Sequence, residues 1–269
     1  MPFKKSALAL LLEPLRGYLR REPLLLPMRI VDVLAAILYP PGCPLCGRDL
    51  LRLARGGSRL CRGCDRSLGR IVRACARCAE PGAAPLCETC ARRPPPFGRV
   101  VACFPYREDA PGARAIRRWK YDGDLPLGAA LSRCLVERSP WRPTCYDLVV
   151  PVPLHPGRYR TRGFNQAAVL AHAVARCDST AGRFAPGVLA RTQATERQAR
   201  LGLRQRAGNV EAAFVARRAL DGSAILLVDD VLTTGATARV CSRVLLDAGA
   251  RDVDVVVLAR TPSTAKERA

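Results

Sequence analysis

The pattern of apolar and polar positions changes near residue 97 of this 269-residue chain. Beyond that point, short runs of branched apolar residues alternate with longer stretches whose apolar positions recur every three or four residues. The short runs are typical of buried strands, and the longer stretches are typical of amphipathic helices. The alternation predicts an α/β fold, with a parallel sheet flanked by helices.

The predicted strands and helices can be placed along this region. Strands are expected at 99–106 (RVVACFPY), 147–153 (DLVVPVP), 225–230 (ILLVDD) and 252–260 (DVDVVVLAR). Helices are expected at 113–121, 125–138, 163–177 and 234–250. In such sheets ligands bind beyond the carboxyl ends of the strands, so the residues that follow each strand are the first candidates for a site.

The stretch at 43–90 contains few large apolar side chains and four C-x-x-C pairs. Each pair holds two thiolates on one side of a tight turn, and two such turns complete a tetrahedral zinc site. The spacing fits two sites paired in chain order, although an interleaved pairing stays open. The eight candidate ligands are Cys43, Cys46, Cys61, Cys64, Cys75, Cys78, Cys87 and Cys90.

Zinc is favoured over disulfide bonds because the chain shows no export signal, and thiols of a reducing compartment stay available to metal. Structural zinc contributes roughly 10 to 16 kcal/mol in small fingers, enough to fold a module with little apolar core. All four ligands of each site would be cysteine sulfur, which leaves no position for substrate. We therefore expect two structural Zn2+ sites in a double zinc ribbon.

A stiff proline-rich stretch, RRPPP at 92–96, marks the expected boundary between the two regions. The predicted organisation is a helical lead-in at 1–38, the double zinc-ribbon module at 39–96, the α/β domain at 97–262 and a tail at 263–269. Near the amino terminus an apolar run is interrupted by Glu13 and Pro14, and no stretch is long enough to span a membrane. This predicts a cytoplasmic protein, and an amphipathic lead-in helix that contacts a partner stays open.

The chain is strongly basic, with 44 Lys and Arg against 23 Asp and Glu, for a formal net charge of +21. Such an imbalance favours anionic partners, including phosphates and nucleic acid. Only four of these residues are lysine, so a general preference for arginine accounts for the total equally well. The arginines of the cysteine-rich module could follow a phosphate backbone or form ordinary solvated surface.

One segment carries specific chemistry: LLVDDVLTTGAT at 226–237. Asp229 and Asp230 end an apolar strand, and the next residues turn into a helix whose first amide groups form an anion site. Gly235 allows close approach of a phosphate, and the threonine hydroxyls add donors. Adjacent acids suit sugar hydroxyls or a magnesium ion, so the segment predicts a ribose phosphate site. The alternative is that Asp230 and Thr234 merely cap the helix.

This segment resembles the phosphoribosyl pyrophosphate (PRPP) motif of type I phosphoribosyltransferases. Together with the four C-x-x-C pairs, RRPPPF, WKYDGD, VVPVPLHPGRYRTRGFNQA and RTQATERQARLGLRQRAGNVEAAF, it resembles the ComF competence family. The resemblance covers roughly residues 30–260. It implies a type I phosphoribosyltransferase-like parallel sheet after residue 97, preceded by the double zinc ribbon.

The resemblance also implies roles for individual residues. Asp229 and Asp230 would hold the ribose hydroxyls of PRPP, which binds with Mg2+. The residues of the phosphate loop would be Thr233, Thr234, Gly235, Ala236 and Thr237. The pyrophosphate loop would contain Pro153, Leu154, His155, Arg158, Arg160 and Arg162, although its arginines could also be simply solvated. We expect at most a weak role for His155 and none for His172.

A long polar stretch at 192–209 lies between two predicted strands, where type I enzymes carry a mobile loop that closes over PRPP. A plain connector is the alternative. The residues that match the ComF pattern in this stretch are Gln198, Leu201, Arg206 and Asn209.

Two functions follow from the resemblance. The first is a PRPP-binding, phosphoribosyltransferase-like protein that handles internalised single-stranded DNA during natural transformation, with DNA and other competence proteins as partners. The second is a metabolic phosphoribosyltransferase that transfers ribose 5-phosphate from PRPP to an unidentified small acceptor. The sequence leaves open whether PRPP is turned over or only bound.

Overall fold

The computed structural model describes residues 42–48, 60–83, 85–139, 146–177, 182–192 and 213–263. The predicted lead-in, the 192–209 stretch beyond Thr192 and most of the tail lie outside these ranges. The same holds for four predicted loop residues, namely Gln198, Leu201, Arg206 and Asn209. The described residues of the cysteine-rich module include two short helices, α1 (Arg62–Ser67) and α2 (Glu88–Arg92).

A five-stranded, all-parallel sheet forms the centre of the α/β region. Its strands are β1 (Val100–Pro105), β2 (Leu148–Pro151), β3 (Arg183–Phe184), β6 (Ala224–Leu232) and β7 (Asp252–Arg260), in the spatial order β1-β7-β6-β2-β3. A separate antiparallel pair consists of β4 (Leu189–Arg191) and β5 (Phe214–Ala216).

Helices connect the strands of the main sheet. They are α3 (Pro111–Arg117), α4 (Leu125–Arg138), α5 (Pro156–Arg162), α6 (Gln166–Cys177) and α7 (Ala236–Asp247), and α3 continues into one π-helical turn at Arg118–Asp122. Among the described residues, no helix has the length and apolarity needed to cross a membrane.

The sheet divides the apolar interior into two layers, as the period of two along a strand requires. In β6, Leu226 and Val228 join one cluster, which includes apolar residues of α4 and α6. Ile225 and Leu227 belong to the other cluster, which includes residues of α7 such as Leu245. Because both faces are covered, β6 is a continuous apolar run, as parallel strands usually are.

The observed architecture confirms the predicted fold class and differs from the sequence interpretation at several points. Strands β3, β4 and β5 were not among the four predicted strands. Residues 156–162, expected to be a loop, form α5, because Pro156 occupies the first helical position and His155 caps the helix. Strand β6 also extends beyond the two acids to Leu232, since Val231 and Leu232 still pair with β7. The proposed domain limits remain predictions.

Candidate functional site

A cleft of about 800 Å³ opens at the carboxyl ends of β2 and β6. From β2 the chain continues toward β3 on one side, whereas from β6 it continues toward β7 on the other. The two strands therefore flank the point where the strand order reverses, and ligands of open α/β sheets bind at such points. The pairing of β2 with β6 ends at Pro151 and Val228, so Asp229 is the first residue of β6 beyond that pairing.

The two acids of β6 lie in this cleft in different electrostatic states. Burial, reinforced by the charge of Asp230, raises the pKa of Asp229 to about 7, although the Asp230 N–H and the Lys120 ammonium oppose the rise. The Asp229 Oδ1 accepts a hydrogen bond from the Asp230 N–H at 2.8 Å. Asp230 is paired instead with a cation, since its Oδ1 lies 2.7 Å from Lys120 Nζ.

Lys120 reaches the cleft from the π-helical turn after α3, although 110 positions separate it from Asp230 in the chain. Both side chains are at least four-fifths buried, with exposed fractions of 16% and 14%. A partly buried ion pair of this kind fixes both groups, because separating either partner leaves a desolvated charge. Tyr121 of the same turn also lines the cleft, and its ring lies under the Arg162 guanidinium at 5.1 Å.

The loop Thr233–Thr237 links β6 to α7 and carries the first amide groups of that helix. Gly235 is the N-cap of α7 and has a φ of +80°. Because glycine has no side chain, the N-cap residue forms no side-chain hydrogen bond to the helix. The Thr234 Oγ1 accepts from the Ala236 N–H at 3.3 Å. Asp230 is held by Lys120 instead of capping α7, so the simple capping alternative does not account for it.

The residues after β2 form the opposite wall of the cleft. The His155 Nδ1 accepts the Gly157 N–H at 3.1 Å, which makes His155 the N-cap of α5. Arg158 and Arg162 of this helix line the cleft, whereas Arg160 lines a separate apolar pocket with Tyr159. His172 is exposed and packs edge-on against Phe184 at 5.4 Å.

The cleft thus brings together most of the predicted site residues. They are Asp229, Asp230, Thr233 and Thr237 from the β6 side, and Pro153, Leu154, His155, Arg158 and Arg162 from the β2 side.

Several lining residues were missed by sequence reasoning. Lys120, Arg191, Tyr106 and Tyr121 all line the cleft. Burial, and to a lesser extent the nearby Arg158 charge, lower the pKa of Arg191 below its ordinary value. Lys120 could have been singled out as one of only four lysines in an arginine-rich chain.

Gln166, at the start of α6, adds an independent sign of a ligand site. Its side chain lines the cleft and is 1% exposed, and its Nε2 has no hydrogen-bond partner among the described residues. Buried amide donors are almost always satisfied, so an oxygen of a bound molecule is a natural partner.

The eight predicted metal ligands form two separate groups of four, paired in chain order. Cys43, Cys46, Cys61 and Cys64 form the first cluster, and Cys75, Cys78, Cys87 and Cys90 form the second. Within each cluster the sulfur atoms lie within 4.8 Å of one another, and two of the separations are 3.7 and 3.6 Å. A tetrahedral zinc–thiolate site places its sulfurs roughly 3.8 Å apart, so both clusters can hold Zn2+.

Comparisons with known proteins agree with this description. Residues 167–269 match the family model described as a phosphoribosyl transferase domain. Over 233 residues the chain is 33% identical to the DNA utilization protein YhgH of Salmonella typhimurium, with 84% of this chain and 100% of that protein covered.

Two competence proteins are also similar. The chain is 30% identical to Competence protein ComFC of Streptococcus pneumoniae, with 81% of this chain and 99% of that protein covered. It is 27% identical to Competence protein F of Haemophilus influenzae, with 79% and 94% covered. The phosphoribosyl transferase domain, the two four-cysteine clusters and this near full-length similarity show that the chain belongs to the ComF competence family.

Proposed function

We propose that this chain binds PRPP with Mg2+ in the cleft between β2 and β6. The observation that carries the proposal is that one cleft joins two acids, the helix start within Thr233–Thr237 and several cationic side chains. PRPP carries a sugar diol between a phosphate and a pyrophosphate. Each of its parts therefore has a group of matching chemistry.

In this proposal each wall of the cleft binds a different part of PRPP. The amide groups at the start of α7 and the threonine hydroxyls bind the 5-phosphate, as helix starts commonly bind anions. Asp229 and Asp230 hold the ribose hydroxyls or the magnesium ion. Arg158, Arg162 and Arg191 bind the pyrophosphate, because guanidinium groups pair with its oxygens through charge-assisted hydrogen bonds.

Lys120 gives the site a defined starting arrangement. It neutralises Asp230, and we propose that PRPP binding separates the pair, so that Asp230 turns to Mg2+ or the ribose hydroxyls and Lys120 turns to a ligand oxygen. The site is thus partly preorganised, because the carboxylate stays in place before the ligand arrives.

Calorimetric titration with Mg-PRPP tests the binding proposal. Replacing both acids, Asp229→Asn with Asp230→Asn, should weaken binding about 100-fold, since two hydrogen-bonding charges are lost. The exposed Asp252→Asn variant serves as control and should bind like wild type. Equal affinity of all three proteins would refute the assignment of the site.

We further propose that the protein handles single-stranded DNA. The support comes from relatives named DNA utilization protein and Competence protein, from the basic charge, and from exposed arginines in the cysteine-rich module. Among these arginines are Arg62, Arg66, Arg70 and Arg73. Phosphate contacts of this kind act by counterion release, so DNA affinity should fall steeply with salt.

Fluorescence anisotropy with a labelled single-stranded oligonucleotide tests this second proposal. Replacing Arg70 and Arg73 together by Gln should lower the slope of log affinity against log salt by about 1.4, or roughly 0.7 per contact. No binding by wild type even at low salt would exclude DNA handling.

A transfer reaction is the alternative, and the extent of the cleft supports it. Tyr106, Glu108 and Tyr121 also line the cleft and have no part in the PRPP contacts proposed above, so in this alternative they would contact the acceptor. In such a reaction the acceptor attacks the anomeric carbon as pyrophosphate leaves, and positioning and charge stabilisation do most of the work. Pyrophosphate release that depends on an added acceptor, and that the double Asp variant lacks, would establish this activity.

A further inference from the structure

A buried ion pair joins the second cysteine cluster to the carboxyl end of the central sheet. Arg260 is the last residue of β7, and its Nη2 lies 2.8 Å from Oε2 of Glu80. Both side chains are only 6% exposed. Because desolvating two charges is costly, a buried ion pair is not by itself evidence of stabilisation. Its role has to be judged from the other contacts of the two side chains.

Those contacts connect the cysteine cluster with the phosphate loop. The Arg260 Nε donates to the carbonyl of Cys78 at 3.2 Å. The Arg260 Nη1 donates to the carbonyl of Leu232 at 3.3 Å and also to the carbonyls of Thr233 and Thr261. One guanidinium thus bridges a cysteine of the second cluster and the first residue of the loop Thr233–Thr237.

Glu80 holds the other end of this bridge. Its two carboxylate oxygens accept hydrogen bonds from the backbone N–H and the hydroxyl of Ser263, each at 2.8 Å. Its own carbonyl accepts the Cys75 N–H at 2.9 Å, so Glu80 closes the turn that contains Cys75 and Cys78. The position of the carboxylate therefore depends on the order of that turn, which the four thiols define together.

The first cysteine cluster is connected differently. Arg138 of α4 pairs with Asp65 of α1 at 2.6 Å, and its Nη1 donates to the Gly69 carbonyl at 3.0 Å. Arg138 is as buried as Arg260, with 6% exposure of its side chain. These contacts lie on α1 and on Gly69 just after it, and not on the phosphate loop, so Arg138 offers a matched control.

We propose that Arg260 is a positioning residue. Through its contacts, a well-ordered second cysteine cluster keeps the backbone of the phosphate loop Thr233–Thr237 well ordered too. Occupancy of that cluster by zinc then fixes Glu80, Glu80 fixes Arg260, and Arg260 holds the Thr233 carbonyl and with it the amide groups that face a phosphate. Affinity for Mg-PRPP consequently depends on an intact second cluster. This last statement rests on the proposed function, whereas the coupling between cluster and loop does not.

Hydrogen exchange of the loop tests the coupling without any ligand. Exchange at residues 233–237 is compared by mass spectrometry in the wild type, Arg260→Lys, Cys87→Ser and Arg138→Lys proteins. Zinc content and thermal unfolding are measured on the same samples. We expect at least about tenfold faster exchange in Arg260→Lys and Cys87→Ser, and a change below twofold in Arg138→Lys.

A second arm measures binding. Mg-PRPP affinity should fall at least about tenfold in Arg260→Lys while its zinc content stays at the wild-type level, a combination that general unfolding would not produce. In the double variant Cys87→Ser with Arg260→Lys the two effects should not add, because both act through the same bridge. Glu80→Gln, which keeps the side-chain shape, provides the same readout if Arg260→Lys does not fold.

The outcomes separate the two proposals. Wild-type exchange at residues 233–237 in folded Arg260→Lys or Glu80→Gln would overturn the coupling. An equal increase in exchange at residues 233–237 in Arg138→Lys would overturn it too. Loss of any contact with the cysteine-rich module would then have the same effect on the loop. If wild type fails to bind Mg-PRPP, the proposed function fails, and the exchange arm still decides on the coupling.

Discussion

At the scale of single residues, two neighbouring carboxylates of one strand are held in different states. Lys120 compensates the charge of Asp230, whereas burial and the charge of Asp230 raise the pKa of Asp229 to about 7. An isolated Asp titrates near 3.9. Ionisation of Asp229 is therefore unfavourable in these surroundings, and strongly shifted pKa values are common at functional sites.

The raised pKa predicts the effect of Asp229→Asn on stability. Between about pH 4 and 7 the Asp229 carboxyl is protonated to a greater extent in the folded state than in the unfolded state. Its contribution to the free energy of unfolding therefore falls as pH rises through that window. The ligand-free variant should thus be more stable than wild type by about 1 to 3 kcal/mol at pH 8, and by less at pH 6. Urea unfolding at both values measures this difference.

The exposed Asp252→Asn variant is the matched control for this experiment, and its stability should stay within about 0.5 kcal/mol of wild type at both pH values. An Asp229→Asn protein less stable than wild type at pH 8 would show that the carboxylate is stabilised in the empty cleft, contrary to the pKa argument.

At the scale of secondary structure, most of the correct predictions came from the local pattern of apolar and polar residues. The apolar runs of β2, β6 and β7 and the helical periodicity of α6 and α7 identified these elements because each buries a face that its own residues define. Helix α5 was missed because its seven residues include no fully buried one, so no apolar period marks it.

The place of Lys120 could not be predicted for another reason. Its contact with Asp230 joins segments 110 residues apart, and it depends on the strand order β1-β7-β6, which no local pattern encodes. The acids, the threonine loop and Arg158 and Arg162 could be proposed from the sequence, because they lie at or after the carboxyl ends of apolar runs, and such ends meet at one edge of a parallel sheet.

For Gly235→Ala, at the turn into α7, the loss of stability can be separated from the loss of ligand affinity. The φ of Gly235 is +80°, and a Cβ there would meet its nearest neighbour, Leu232 Cδ1, only at 3.9 Å, so the penalty comes from backbone conformation alone. Gly222→Ala is the control, since its φ of +74° and open surroundings imply the same penalty away from the cleft. Both variants should lose about 1 to 2 kcal/mol in urea unfolding.

Only one of these two variants should affect the ligand. Gly235→Ala shifts the amide groups at the start of α7, so calorimetry should show weaker Mg-PRPP binding than for wild type, whereas Gly222→Ala should bind normally. Equal loss of affinity in both would mean that global stability, and not the geometry of the loop, controls binding.

At the scale of the whole molecule, the cysteine-rich module is fastened to the α/β region at two buried arginines. Arg138 ties α1 to α4, and Arg260 ties the second cluster to the end of β7. Each arginine is used with a carboxylate from the other module, so loss of either module would leave an unpaired buried charge. The two parts of the chain should accordingly unfold together.

The two clusters predict the metal content of the protein. Metal analysis of purified wild type should give two zinc ions per chain, because each group of four thiols completes one tetrahedral site. Cys46→Ser should retain the zinc of the second cluster only, and Cys87→Ser that of the first. A wild-type content of one zinc or none would contradict the assignment of both clusters as metal sites.

The most direct test of the central claim is a crystal structure of this chain grown with Mg2+ and PRPP. The account predicts the 5-phosphate at the backbone amides of Thr233–Thr237, the ribose hydroxyls or the metal ion at Asp229 and Asp230, and the pyrophosphate near Arg158 and Arg162. Lys120 Nζ should also leave Asp230 Oδ1, from which it lies 2.7 Å away in the structure described above. PRPP bound elsewhere, or its absence from the cleft at saturating concentration, would contradict the account.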